Sequence, residues 1–221
     1  MIMKDLSFRH LLWGLLVIVL AGVIGTAVWT RMGTWPKQGG WDERPLEGLR
    51  NFGTVPDFSL IERSGKRLEL SDLHGKIWIA NFIYTTCTDT CPLQSAEMAK
   101  LQEHLRQRTN VRLVSISVDP ERDTPQVLSR YADRFKADPS LWLFLTGERG
   151  EIYRLAQDGF RLSAVPVSAP SASNGDAIIH SSRFVLVDTK KQIRGYYDST
   201  DREALRRLKQ DLKTLLQEKG K

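Results

Sequence analysis

Ile77-Trp78-Ile79-Ala80-Asn81-Phe82-Ile83-Tyr84, followed by Thr85-Thr86-Cys87-Thr88-Asp89-Thr90-Cys91-Pro92, decides how this chain is read. The first eight residues form an apolar run of strand length and read as a buried β-strand. Pro92 suits the first turn of a helix, because its fixed φ is already helical and its missing N–H is no loss there. Between them lie the only two cysteines of the 221 residues, four positions apart. Both sulfurs therefore sit where a strand ends and a helix begins. The positive partial charge of a helix N-terminus lowers a thiol's pKa and favours thiolate. Thiolate is the nucleophile of disulfide exchange and also a soft ligand for Cu(I) or zinc. The residue chemistry thus leaves redox work, metal binding, or both.

Outward from this loop the chain alternates strands and helices. Asp57 to Ile61 and Arg67 to Leu70 read as a small hairpin around Ser64-Gly65. A helix from Pro92 to Arg108 carries Met98, Leu101 and Leu105 on one face, and Val111 to Val118 reads as a second buried strand. A helix beginning near Thr124-Pro125 follows, then a strand at Trp142 to Leu145 and a short helix from Glu148 to Gln157. Ser163 to Asp176 is a Ser/Ala/Pro-rich loop without periodicity. Phe184 to Val187 and Ile193 to Tyr197 form a second hairpin, and a last helix presents Leu205, Leu208, Leu212 and Leu215 as one stripe. Strand–helix alternation closed by a hairpin and a helix indicates an α/β sheet covered on both faces, with the cysteines at a strand's carboxyl end, where such folds place their sites. The order is thioredoxin-like, with an additional N-terminal hairpin.

The N-terminus reads differently. Leu11 to Val28 is apolar and uncharged, and eighteen helical residues span roughly 27 Å, close to a hydrocarbon core. Trp13, Trp29 and Trp35 lie at or near its ends, as interfacial anchors do. The expectation is a retained transmembrane helix, with a cleaved signal peptide as its competitor. Residues 1–30 are then tail and anchor, 31–55 a Gly/Pro/Trp-rich linker, and 56–221 the thioredoxin-like domain. Positive residues flank the run nearly evenly, but a short tail before a large domain favours a single-pass protein of the inner membrane with its domain in the periplasm. The formal net charge of +6 is spread along the chain without aromatic interleaving, so nucleic acid is not an expected partner.

Three segments resemble the Sco/SenC copper chaperone family: Phe82 through Cys91-Pro92 as its Cys-x3-Cys-Pro motif, Ser117-Val118-Asp119-Pro120-Glu121-Arg122-Asp123-Thr124-Pro125, and His180-Ser181-Ser182-Arg183-Phe184-Val185-Leu186-Val187-Asp188. They occur in the family's order and cover residues from about 55 to 215. The resemblance implies copper, as Cu(I) or Cu(II), held by Cys87, Cys91 and His180. It also implies a role in assembling the dinuclear copper centre of cytochrome c oxidase. The implied partners are that subunit and other copper chaperones or thiol reductants. The Ser/Ala/Pro-rich stretch before His180 departs from the family's usual loop, which bears on partner identity more than on the ligand set.

Duller roles stand beside these. A structural disulfide closing so short a loop would add little stability. His10, His74 and His104 lack comparable context, and Met98 reads as core. Asp123 reads as a helix N-cap. Asp119 either orders the turn before Pro120 or stands behind the ligands, and the same second role is open to Asp123. Catalysis is open too: the chain reads first as a metallochaperone, with Cys87 and Cys91 as a redox pair. A general thiol–disulfide oxidoreductase and a copper or redox sensor are the alternatives. Against the oxidoreductase, the spacing is Cys-x3-Cys where thioredoxins have Cys-x2-Cys.

Overall fold

Two short strands, β1 (Ser59–Glu62) and β2 (Arg67–Glu69), pair antiparallel around a tight turn. Gly65 sits there at φ 82, which a residue without Cβ adopts at no steric cost, and its N–H donates to the Glu62 carbonyl at 2.7 Å. After a 3-10 turn at Leu70–Leu73 comes β3 (Ile77–Ile83), buried at every position, so both of its faces are covered. Helix α1 (Thr90–Leu105) follows, then β4 (Val111–Ser117), α2 (Pro125–Arg134), β5 (Trp142–Thr146) and α3 (Arg149–Arg154), which runs on into a π-helical turn at Leu155–Gly159. Strands β6 (Arg183–Val187) and β7 (Ile193–Asp198) and helix α4 (Arg202–Glu218) complete the order. The computed structural model describes residues 13–14, 16–17, 19–23, 49–162 and 181–218. The loop expected at 163–176, and His180 with it, lie outside the described residues.

The seven strands form one mixed sheet in the order β2-β1-β5-β4-β3-β6-β7. Its centre is parallel, with β3 beside β4 and β4 beside β5, while β6 runs antiparallel to β3 and the hairpins form the two flanks. Alternate side chains of β3 point to opposite faces. Asn81 meets Gln94 of α1 on one face, whereas Trp78 and Phe82 lie edge-on to Phe160, just past the π-helical turn, on the other. Met98, Leu101 and Leu105 of α1 are buried as their spacing requires, as are Leu208, Leu212 and Leu215 of α4. In α4 Ala204 completes the buried stripe and Leu205 is only partly covered. This is the thioredoxin-like architecture: a mixed sheet flanked by helices.

The chain divides into two compact units, Met1–Arg44 and Pro45–Lys221. In the first, the expected transmembrane helix over Leu11 to Val28 is not upheld. Residues 13–14, 16–17 and 19–23 are helical, and among the described residues no helix is long and apolar enough to cross a membrane. The rest of that run lies outside the described residues. Eighteen residues stand near the lower limit of the ~20 that a span needs, so the apolar count alone was narrow support for a span. The single-pass inner-membrane placement, the periplasm-facing orientation and the membrane tether all rested on that helix and are corrected with it.

Candidate dithiol site

Because β3 and β4 are parallel, their carboxyl ends share one edge of the sheet, and β6, antiparallel to β3, begins there. The cysteine loop after β3, the Asp119–Asp123 turn after β4 and Ser181 before β6 are thereby gathered at that edge. Cys87 lies in the loop. Helix α1 starts at Thr90, two residues earlier than Pro92 suggests, so Cys91 belongs to its first turn. The first N–H groups of a helix have no partner within it. Here the Cys91 N–H donates to Cys87 Sγ at 3.5 Å.

The two thiols differ in consequence. Burial raises the Cys87 pKa, but hydrogen bonds from the backbone N–H groups of Cys91 and Asp89, with further bonds from the Cys91 and Tyr84 side chains, outweigh it and bring the thiol below its ordinary value. Cys91 is pushed well up, first by deeper burial and then by the charge and hydrogen bonding of Cys87, with Asp123 adding to the effect. Neither cysteine is in a disulfide. The Tyr84 hydroxyl, itself shifted up by burial and by its bond to Cys87, and the buried Tyr131, shifted up to about 12 chiefly by burial, stand near the pair. The Tyr131 hydroxyl lies 2.9 Å from that of Ser95 on α1, which joins α2 to the cysteine helix.

Asp123 is not the helix cap. Thr124 caps α2, its side chain accepting from the Val127 N–H, with Pro125 in the first turn. Asp123 is fully buried and braces the cysteine loop from beneath. Its carboxylate accepts from the Thr85 N–H at 3.1 Å, the Thr85 hydroxyl at 2.5 Å and the Ser117 hydroxyl at 2.5 Å. Burial raises its pKa despite these donors. Asp119 orders the turn: its N–H donates to Ser117 Oγ, its carbonyl accepts from the N–H groups of Arg122 and Asp123, and its carboxylate pairs with Arg122 at 2.9 Å.

Sequence reasoning missed a buried polar line behind the thiols. Trp142 Nε1 donates to Ser115 Oγ at 2.9 Å, Ser115 to Asn81 Oδ1 at 2.7 Å, Asn81 Nδ2 to Gln94 Oε1 at 3.0 Å, and Gln94 Nε2 to the Ser181 carbonyl at 2.6 Å. The available signal was a polar residue in each of two apolar patterns, Asn81 within the β3 run and Gln94 in line with Met98 and Leu101. Among the described residues no three His, Cys, Asp or Glu side chains come together as a metal site. The thiols stand as a pair. His74 and His104 are exposed, the latter bonded through Nδ1 to the Lys100 carbonyl.

A thioredoxin-like sheet with two unequal thiols where one of its parallel inner strands passes into a helix defines a dithiol protein of that fold. The SCO1/SenC family profile matches residues 48–217. The chain belongs to that family of copper chaperones and cytochrome c oxidase assembly proteins. A SCO1 protein homolog of Bacillus subtilis is 34% identical over 149 residues, 66% of this chain and 75% of its own length. The BsSco structure, described as a member of the Sco family of cytochrome c oxidase assembly proteins with a disulfide switch, is similar at a TM-score of 0.64 and 32% identity, covering 76% of this chain and 95% of that one. A structure of Bradyrhizobium japonicum ScoI with copper bound gives a TM-score of 0.56 at 26% identity, covering 72% of this chain and 99% of that one.

Proposed function

We propose that this chain carries copper as cargo on Cys87, Cys91 and His180, and serves assembly of the dinuclear copper centre of cytochrome c oxidase. The proposed partners are the subunit bearing that centre and the copper chaperones or thiol reductants that act before it. The observation that supports this reading is the thiol pair at the start of α1, with Cys87 held towards thiolate by helix N–H groups. Two soft sulfurs suit Cu(I), and an added imidazole suits Cu(II), so a Cys2His set serves both oxidation states. Asp123 supports the pair indirectly, by holding the loop that carries Cys87. The family match and the copper-bound relative point the same way. The test is titration of the reduced full chain with Cu(I) under anaerobic conditions and separately with Cu(II). One-to-one Cu(II) binding with a thiolate charge-transfer band that His180→Ala weakens is the expected result. Absence of copper binding overturns the reading.

The inequality of the thiols favours a second reading, reduction of a target disulfide. Cys87 thiolate attacks one target sulfur and expels the other as thiolate. Cys91, losing its proton, then displaces the first target sulfur and closes a Cys87–Cys91 disulfide. The target gains two electrons and the chain loses two. Rapid copper-independent reduction of a disulfide substrate, lost in Cys87→Ser, supports this activity, and no turnover above free dithiol excludes it.

A further inference from the structure

We propose that Gln94 is a positioning residue, holding the backbone that directly follows His180 to the helix that carries Cys91. The inference rests on the copper reading above and adds to it a residue with no metal-binding role of its own.

The polar line that ends at Ser181 has a fixed direction. An indole N–H can only donate and a backbone carbonyl can only accept. With Trp142 at one end and the Ser181 carbonyl at the other, each intervening group must accept from the tryptophan side and donate toward Ser181. The orientations of both amides follow from this without reference to the placement of O and N. Gln94 therefore presents its NH2 group to Ser181, and reversing it would set donor against donor at Asn81.

Gln94 is 1% exposed and lies three residues after Cys91, so the two share one side of α1. Its far end grips the chain one residue beyond His180. Ser181 and Ser182 make further bonds: the Arg183 N–H donates to Ser181 Oγ at 3.2 Å, and the Ser199 N–H to the Ser182 carbonyl at 2.9 Å. Buried polar groups of this kind seldom raise stability over a well-packed apolar set, whereas a fully satisfied line specifies one arrangement. What this line specifies is the distance between the cysteine helix and the entry to β6. The Cys91 helix and the chain just before β6 are far apart in sequence, and Gln94 joins them by a side chain.

The test uses the full chain with Gln94→Met, which keeps side-chain length and removes both hydrogen bonds, beside His180→Ala and the double variant. Cu(II) affinity and the thiolate charge-transfer band report the imidazole together with the sulfurs, while Cu(I) affinity, measured against a chelator, reports chiefly the sulfurs. Gln94→Met is expected to weaken Cu(II) binding about tenfold, the lower end of what supporting partners of metal ligands contribute, and to leave Cu(I) binding unchanged. The double variant is expected to bind Cu(II) no more weakly than His180→Ala alone, because Gln94 acts through the histidine. Additive losses, or equal losses of Cu(I) and Cu(II) affinity, would reduce Gln94 to a brace of the fold and overturn the proposal. Should Gln94→Met fail to fold, Asn81→Leu leaves Gln94 in place but frees its amide, and must separate Cu(II) from Cu(I) binding in the same direction. Failure of the wild type to bind copper marks failure of the underlying reading, whereas a wild type sensitive to His180→Ala but not to Gln94→Met rejects this inference alone.

Discussion

Asp123→Ala tests the division of labour between Asp123 and Thr124. The substitution strips the acceptor from three donors at once: the Thr85 N–H, the Thr85 hydroxyl and the Ser117 hydroxyl. Ser117 has a second contact, accepting from the Asp119 N–H, and hydroxyls can turn, but the Thr85 N–H is fixed by the backbone. Hydrogen bonds to a charged group contribute about 1.5–3 kcal/mol each. Their sum overstates the loss, because burial of the carboxylate costs enough to raise its pKa despite the donors. The expected destabilisation is about 3 kcal/mol, the lower end for breaking a buried charged network. At about 2–4 °C per kcal/mol for a domain of this size, Tm falls by about 6–12 °C. Thr124→Ala removes a cap and should cost about 1 kcal/mol. Thermal unfolding of the reduced protein, followed by circular dichroism, compares the two. A loss in Asp123→Ala no greater than in Thr124→Ala would refute the bracing role. The pH dependence adds a signed check. The folded carboxyl holds its proton more tightly than the unfolded one, so the part of its stabilisation linked to that proton is complete below the ordinary carboxyl pKa of 3.8 and is lost as pH rises through the higher folded value. Asp123→Asn, which does not titrate, should lack this decline, and identical pH profiles would contradict it.

Three further outcomes are expected. In the reduced protein, iodoacetamide should modify Cys87 before Cys91, with a rate that climbs at a pH below that of an ordinary thiol; peptide mass mapping that finds equal rates or Cys91 first would contradict the thiol inequality. Arg194 pairs with Asp188 at 2.9 Å and donates to the carbonyls of Leu49 and Arg50, so Arg194→Ala should cost about 2 kcal/mol. Faster amide exchange at Phe52 and Val55, whose N–H groups bond to Ile193 and Lys191, would localise that loss, and unchanged exchange would argue against it. Tyr197→Phe removes a 2.7 Å bond to Asp211 and should lower stability by about 1–2 kcal/mol in urea unfolding, with an unchanged midpoint as the contrary result.

How much of this was legible depends on the range of the interactions involved. The apolar run of β3, the stripe of Met98, Leu101 and Leu105 and the turn at Gly65 are local patterns, and the structure realises them. The cysteine pair was legible for the same reason. Asp123 was misread as a cap because Asp and Thr stand side by side before Pro125 and both satisfy the local rule. Only the approach of the loop after β3 decides that one points inward to Thr85 and the other caps α2. Gln94 and Asn81 were missed because the line they belong to also draws on β4, β5 and the chain before β6, brought together by a strand order that no local pattern carries. The N-terminal run fails in the opposite way, since apolar content is a local count whereas spanning a membrane demands a helix of sufficient length, and among the described residues no helix is long and apolar enough.

The least legible detail is also the one on which the thiol chemistry turns. Pro92 is compatible with any place in the first helical turn, so sequence alone permits α1 to begin at Pro92 or before it. With a start at Pro92, Cys91 would stand outside the helix, and the first free N–H groups would lie beyond the loop. The start at Thr90 instead places the Cys91 N–H against Cys87 Sγ and carries the Cys91 sulfur inward, 3% exposed, toward Asp123. A displacement of two residues thus separates a pair of similar thiols from one held below its ordinary pKa and one held above it. That inequality serves either proposed activity. A copper ion meets one sulfur already disposed to thiolate and must displace a proton from the other, which makes binding pH-linked and release possible. A target disulfide meets a single nucleophile, with the second thiol held in reserve to resolve the mixed disulfide. The two proposed activities, delivery and reduction, therefore draw on the same two atoms, and the proposed His180 ligand is what would divide them.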